Sequence, residues 1–189
     1  MCSSDLPYYT EAEIQMGVSG DDALDSPRSA PYPLPGIPLP YGFDRISKRI
    51  AKLGYILGIG PQARNSIPYD GRPACCGNNN CMPVCPIDAQ YHGGISARKA
   101  IEAGVRVIAN AVVYKIEAND NGDIVAVHYL DADKVAHKVT GKRFVLTANG
   151  IESPKLLLMS TSDKYPNGIA NSSGMVGRNL MDHPGTSVE

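Results

Sequence analysis

Phe43, Ile46, Ile50 and Leu53 recur at helical spacing, and Lys48, Arg49 and Lys52 fall on the opposite side. Such a stripe predicts an amphipathic helix over residues 44–53. A shorter helix is predicted over 10–16. Another is predicted over 95–103, stopped by Gly104, since glycine readily takes the left-handed conformation that ends a helix. Beyond Gly104 the pattern changes. β-Branched residues crowd 105–109 and 111–118, Asn119-Asp120-Asn121-Gly122 supplies a hairpin turn through its Asn-Gly step, and 124–130 forms the return strand. A second turn at Asp131-Ala132-Asp133 leads into 134–140. The unbroken apolar run Phe144-Val145-Leu146 then predicts a strand buried on both faces, as in a parallel sheet covered by helices. Ser153 is placed to cap a helix with Pro154 at its first position, carrying Leu156, Leu157, Leu158 and Met159 into a core. The expected class is α/β, with a β-meander inserted before a strand-turn-helix.

Prolines divide the chain more sharply than charge does. Seven fall in the first forty residues and none lies between Pro86 and Pro154. Irregular structure is therefore expected first, with 27–40 as an extended, polyproline-like crossing, and regular structure afterwards. At 189 residues and 43% hydrophobic content, the chain can bury one core plus an irregular appendage. Its 18 lysines and arginines nearly balance 19 aspartates and glutamates, and no basic stripe interleaves with aromatics, which argues against a nucleic-acid partner. No apolar run reaches the length of a membrane span, and the first residues lack the charged and apolar regions of a signal peptide. By itself this segment is expected neither to insert nor to export. Cys2-Ser3-Ser4-Asp5-Leu6 reads as the translated end of a common sequencing adapter, so residues 1–6 are expected to be read-through; resequencing the locus from independently prepared DNA checks this.

Four of the five cysteines lie within Arg72-Pro73-Ala74-Cys75-Cys76-Gly77-Asn78-Asn79-Asn80-Cys81-Met82-Pro83-Val84-Cys85-Pro86. Thiols this dense, separated by turn formers and closed by Cys-Pro, point to a metal or iron–sulfur site. The final Cys-x-x-x-Cys-Pro matches the tail of bacterial ferredoxin ligand runs, and Gly77 with three asparagines lets the backbone wrap an inorganic core with its amides toward sulfide. Zinc is open as well, with Cys75 or Cys76, Cys81, Cys85 and His92 as four ligands, although no paired Cys-x-x-Cys knuckle is present. A disulfide pair is the plainest alternative. Cys75 and Cys76 are not expected to serve one cluster together, because successive side chains of an extended segment point to opposite sides. Three thiolates then remain, which suits a three-iron cluster or a four-iron cluster with one open site. Gly58-Ile59-Gly60-Pro61-Gln62-Ala63 spells a dinucleotide-binding pattern, but that motif must join a strand to a helix. Pro68 follows soon and no helical run exists, so a loop leaving the preceding helix is expected.

Four segments taken in order carry a resemblance. They are Asn65-Ser66-Ile67-Pro68-Tyr69-Asp70-Gly71-Arg72-Pro73 with the cysteine run, Asn110-Ala111-Val112-Val113-Tyr114-Lys115-Ile116, Ala148-Asn149-Gly150-Ile151-Glu152-Ser153-Pro154-Lys155-Leu156-Leu157-Leu158-Met159-Ser160, and Val176-Gly177-Arg178-Asn179-Leu180-Met181-Asp182-His183-Pro184. Together the chain resembles the glucose-methanol-choline flavoprotein oxidoreductases. Within them it is similar to the large subunits of bacterial FAD-dependent glucose, sorbitol, gluconate and fructose dehydrogenases. One departure is Ser160-Thr161, where the family usually reads Ser-Gly.

The resemblance implies a fragment of an FAD-binding, Rossmann-like fold with an irregular cluster loop. It implies FAD and a 3Fe-4S cluster held by Cys75, Cys81 and Cys85, with Cys76 the spectator. A hydride from a sugar or polyol would reach the flavin, and electrons would leave singly through the cluster to a multihaem cytochrome c subunit or quinone. Val113, with Val112 as its neighbouring candidate, matches the strand that meets the adenine, and Ala148, Asn149 and Gly150 match a turn where small residues let backbone approach the dinucleotide. No catalytic residue is carried over. The family's amino-terminal G-x-G-x-x-G unit and carboxy-terminal histidine pair have no counterpart here, so the chain is expected to be a central portion, inactive alone, and His183 structural rather than a base. His92, His128 and His137 are read as loop or surface residues. The expected divisions are 1–6 as adapter, 7–71 as irregular segment with a helix, 72–93 as cluster loop, 94–160 as part of the FAD domain, and 161–189 as the connection onward. A small export or chaperone subunit and the periplasmic face of the bacterial inner membrane are implied in the same way. A zinc-binding or disulfide-stapled module without enzymatic work is the competing expectation.

Overall fold

The computed structural model describes residues 6–24, 28–78 and 80–181. They fall into two compact units, Met1–Val105 and Arg106–Glu189. In the first, helix α1 (Leu6–Met16) ends at Gly17 with φ +71, whose amide bonds back to the Glu13 carbonyl at 2.9 Å. Glycine is required there twice over, by that φ and because a Cβ would sit 2.9 Å from Arg72 Nη2 and Tyr69 Cδ1. The chain then enters β1 (Ser19–Gly20), which pairs in parallel with β2 (Leu34–Pro35) and also bridges to Gln62. Proline is tolerated in so short a strand because few ladder bonds are lost. Val18, Tyr32, Leu34, Ala89 and Ile95 are the buried apolar side chains of this unit.

Helix α2 (Tyr41–Ile50) runs into a 3₁₀ turn, Ala51–Leu53, close to the predicted span. Its apolar stripe is not covered by the described residues: Phe43, Ile46 and Leu53 are all exposed. The segment from Tyr55 through Pro61 has no regular structure, as expected of a glycine pattern outside a strand–helix junction. Helix α3 (Gly93–Glu102) buries Ile95, and Gly104 with φ +86 follows its end.

The cysteine run is anchored through Asn65, which is fully buried. Its backbone amide donates to the Ala89 carbonyl and its own carbonyl accepts from the Cys75 amide, both at 2.8 Å. One residue therefore holds both ends of the loop. Its Nδ2 donates to the carbonyls of Tyr69, Arg72 and Pro73 at 3.0, 3.2 and 3.3 Å, so two protons serve three acceptors. Arg72 and Tyr69 reach back from this turn to α1, donating to the carbonyls of Met16 (2.8 Å) and Ile14 (2.9 Å). These are carbonyls a helix C-terminus leaves without partners, and a cation also suits that end of the helix dipole.

The second unit is an antiparallel meander, β3 (Val112–Ala118), β4 (Ile124–Leu130) and β5 (Ala136–Thr140), in that spatial order. Asn119 Oδ1 accepts from the amides of Asn121 and Asp123 at 2.9 Å and closes the first turn. Helix α4 (Asn149–Met159) packs on β3 through Leu156, Ile116 and Ile169. Ser160 locks the contact, its Oγ accepting from the Ile116 amide (2.9 Å) and donating to the Leu156 carbonyl (2.7 Å).

Four expectations are corrected. Residues 105–109 form no strand, and the run at 144–146 is neither paired nor buried, with Val145 85% exposed. A strand exists by virtue of its ladder, and no described segment pairs with either. Ser153 does not start α4. Asn149, at φ +72, caps it by accepting from the amides of Ile151 and Glu152, both at 2.9 Å, which leaves Pro154 inside the helix. That proline removes one bond, the one to the carbonyl of Gly150 four residues back. Of the leucine run, Leu156 is buried and Leu157 packs on the core, while Leu158 and Met159 stay exposed.

Replacing Asn65 by alanine is expected to destabilise the chain by about 1–3 kcal/mol, the cost of losing a fully buried amide side chain that donates to the 69–73 turn. Chemical denaturation measures this, and a change below about 0.5 kcal/mol, the range of an ordinary surface substitution, would contradict the part given to the side chain in holding the 69–73 turn.

Candidate cluster loop and flavin groove

Between its two anchors the loop presents four free thiols. Cys76 is exposed, whereas Cys75, Cys81 and Cys85 are half-buried, so the three predicted ligands stand apart from the predicted spectator. Each of the three receives a hydrogen-bond donor. The Gly77 amide donates to Cys75 Sγ at 3.4 Å, and Arg64 Nη1 donates to Cys81 Sγ at 3.5 Å. Burial pushes the Cys85 thiol up, but the backbone amides of Gln90, Ile87 and Ala89 together pull it below the ordinary thiol value, against opposition from the Asp88 carboxylate. A sulfur facing three amides is an environment built for a thiolate.

No three His, Cys, Asp or Glu side chains among the described residues gather around one ion position. The zinc arrangement is therefore not formed: His92 instead pairs through Nε2 with Asp88 Oδ1 at 3.1 Å, a bond that holds the Asp88 carboxyl below its usual range. An iron–sulfur cluster makes a different demand, since its thiolates bind separate irons and stand farther apart than the ligands of one ion. Half-buried thiols with amide and guanidinium donors fit such an anionic group. The other histidines are also engaged by carboxylates. His128 pairs with Glu117 and His137 with Asp131, each at 2.6 Å. His183 lies outside the described residues.

The residues matched to flavin contacts are all in the second unit. Val113 and Ala148 line one apolar groove of about 540 Å³, together with Val145, Leu146, Leu156 and Tyr165. β3 is an edge strand, and no described residue hydrogen-bonds Val113 from outside the sheet, so its edge is accessible to a planar ligand. A Cβ at Gly150 would meet nothing within 4 Å, and Gly150 lines a separate shallow groove with Gly177 and Arg178. Asn149 spends its side chain on capping α4, which occupies the amides that a phosphate would otherwise use. An apolar wall with an open backbone beside it fits the adenine end of a dinucleotide, and the capped helix does not offer a phosphate site.

Sequence reasoning missed Asn65 as the anchor, Arg64 on Cys81, the amides around Cys85, and Ser160 as the link from β3 to α4. Asn65 and Ser160 belong to the segments that carry the family resemblance and Arg64 adjoins the first of them, which was the available signal; the amides around Cys85 depend on backbone geometry.

Comparison with known proteins adds the lineage. The family model described as GMC oxidoreductase matches residues 77–185. The chain is 52% identical over 186 residues to the fructose dehydrogenase large subunit of Gluconobacter japonicus, covering 96% of this chain and 34% of that protein. It is 31% identical to the 6'''-hydroxyparomomycin C oxidase of Streptomyces lividus, covering 93% of this chain and 33% of that protein. It is 30% identical to the 2-methyl-1,2-propanediol dehydrogenase of Mycolicibacterium austroafricanum, covering 94% and 33%. The chain thus spans about a third of the length of the relatives it matches.

In metal-free chain, alkylation of Cys85 is expected to reach half its maximal rate at a pH below that of an ordinary thiol, because the amides favour its thiolate. Peptide-resolved labelling against pH reads this directly. A midpoint at or above the free-thiol value would show that burial outweighs the amides.

Proposed function

The chain belongs to the GMC oxidoreductase family, and from that premise we propose that it forms part of an FAD-dependent dehydrogenase that oxidises a CH–OH group of a sugar or polyol. Electrons would pass from FAD through a 3Fe-4S cluster to a cytochrome c or quinone. The observation that carries this reading is the set of three half-buried free thiols, Cys75, Cys81 and Cys85, each met by a donor of the chain. The 52% identity to a fructose dehydrogenase large subunit supports a sugar as substrate class. When bound, FAD would accept a hydride and the cluster would pass single electrons.

The chain's own part is to hold and orient. Cys75, Cys81 and Cys85 would bind the cluster, the amides of Ile87, Ala89 and Gln90 would stabilise charge on Cys85, and Asn65 would keep the loop closed at its base. Val113 and Ala148 would form the apolar wall against the adenine, with Asn149 and Gly150 following at the start of α4. The Rossmann-like parallel sheet of the FAD domain would then run through segments 105–109 and 144–146, paired with strands contributed from outside this chain. The chain alone would not turn over substrate.

A small export or chaperone subunit, a multihaem cytochrome c subunit and the periplasmic face of the bacterial inner membrane complete the proposal. No described helix is long and apolar enough to cross a membrane.

Cys81→Ser in the complete subunit is expected to abolish electron delivery to a haem acceptor while sparing much of the reduction of small artificial dyes. Cys76→Ser should leave both nearly unchanged. Acceptor-resolved steady-state assays separate the cases, and equal loss with haem and dye would rule out a relay.

A further inference from the structure

Arg64 carries a charge that no described carboxylate balances. Arg28 pairs with Glu13 and Arg98 with Asp88, whereas the single side-chain partner of Arg64 among the described residues is the sulfur of Cys81, 3.5 Å from Nη1. Its Nε is buried and meets no acceptor. Arg64 is half-buried, and an anion beside its guanidinium would offset the desolvation of the shielded Nε.

The arginine is not free to swing away on its backbone. Its amide donates to the Gln62 carbonyl at 2.7 Å, it forms an antiparallel bridge with Gln90, and Asn65 next to it ties Cys75 to Ala89. The guanidinium is thus built into the base of the cysteine loop. The remaining donors on the cysteine sulfurs are backbone amides, which are neutral. Among the described residues, Arg64 is the one cation hydrogen-bonded to a cysteine sulfur.

We infer that Arg64 sets the charge of the cluster loop: its guanidinium holds the Cys81 sulfur and raises the reduction potential of the group bound there. This rests on the assignment of an iron–sulfur cluster to Cys75, Cys81 and Cys85 made above. A hydrogen bond and a positive charge on a ligand sulfur both favour the state with the added electron, which is the more negative one. Such an upward setting would draw electrons from the flavin toward the loop. Arg64 acts through Cys81 and is a positioning residue, not a catalytic one.

The test uses the complete subunit. Iron and acid-labile sulfide are assayed first, and their absence from the unaltered protein overturns the cluster assignment itself. With the cluster present, the midpoint potential is measured by redox titration followed by electron paramagnetic resonance for the unaltered protein, Arg64→Gln, Arg64→Lys and Arg49→Gln. Arg49 is exposed on α2 and reports the effect of losing a remote charge. The expected result is a lower midpoint in Arg64→Gln, recovery of most of that shift in Arg64→Lys, and no shift in Arg49→Gln. An intact cluster with an unchanged midpoint in Arg64→Gln overturns the inference alone, as does an equal shift in Arg49→Gln. Where Arg64→Gln does not retain iron, retention in Arg64→Lys supports a need for the charge, and loss in both shows a purely structural role and overturns it.

Discussion

The cysteine loop depends on one buried amide residue. Asn65 fixes the start of the loop through Cys75 and its end through Ala89, while its side chain gathers the carbonyls of the 69–73 turn. A loop rich in glycine and asparagine has no ladder of its own, so its ends must be held by something outside it. The same turn sends Arg72 and Tyr69 to the end of α1. The helix, the turn and the cysteine run are thus one hydrogen-bonded assembly, and a change at Asn65 would reach all three.

Closure at the base has a chemical consequence. It brings Ile87, Ala89 and Gln90 round so that their amides face Cys85, and it places Arg64 against Cys81. The loop therefore surrounds its thiols with positive partial charge before any cofactor is bound. At Cys85 the amides outweigh burial and favour the thiolate. The second unit has a comparable pin in Ser160, whose hydroxyl joins β3 to α4. Thr161 in place of glycine leaves that pin intact.

The surface of the second unit is unusually apolar where its strands lack partners. Val107, Ile108, Val112 and Val145 are exposed, and they lie in or beside the segments that carry strand-like sequence without a ladder. Hydrophobic runs of this type suit a sheet covered on both faces. Local sequence can prefer an extended backbone, yet pairing needs a neighbour, and the described residues supply one only for β3, β4 and β5.

What the sequence determined by itself is local and chemical. Periodicity placed α2, α3 and the meander nearly where they lie, because amphipathic spacing and an Asn-Gly turn act within a few residues. Cysteine density marked a candidate loop, and the adjacency of Cys75 and Cys76 separated three ligand candidates from a fourth; Cys76 is exposed where the other three are half-buried. The start of α4 was misplaced because Ser153-Pro154 and Asn149 are both credible caps, and the choice falls to the residue that the backbone turns to positive φ. Only the tertiary structure decided that Asn65 anchors the loop, that Arg64 faces Cys81 across 17 residues, and that Ser160 meets Ile116 across 44. Contacts of that range have no periodic signature; they exist because buried backbone groups must find partners wherever the fold brings them.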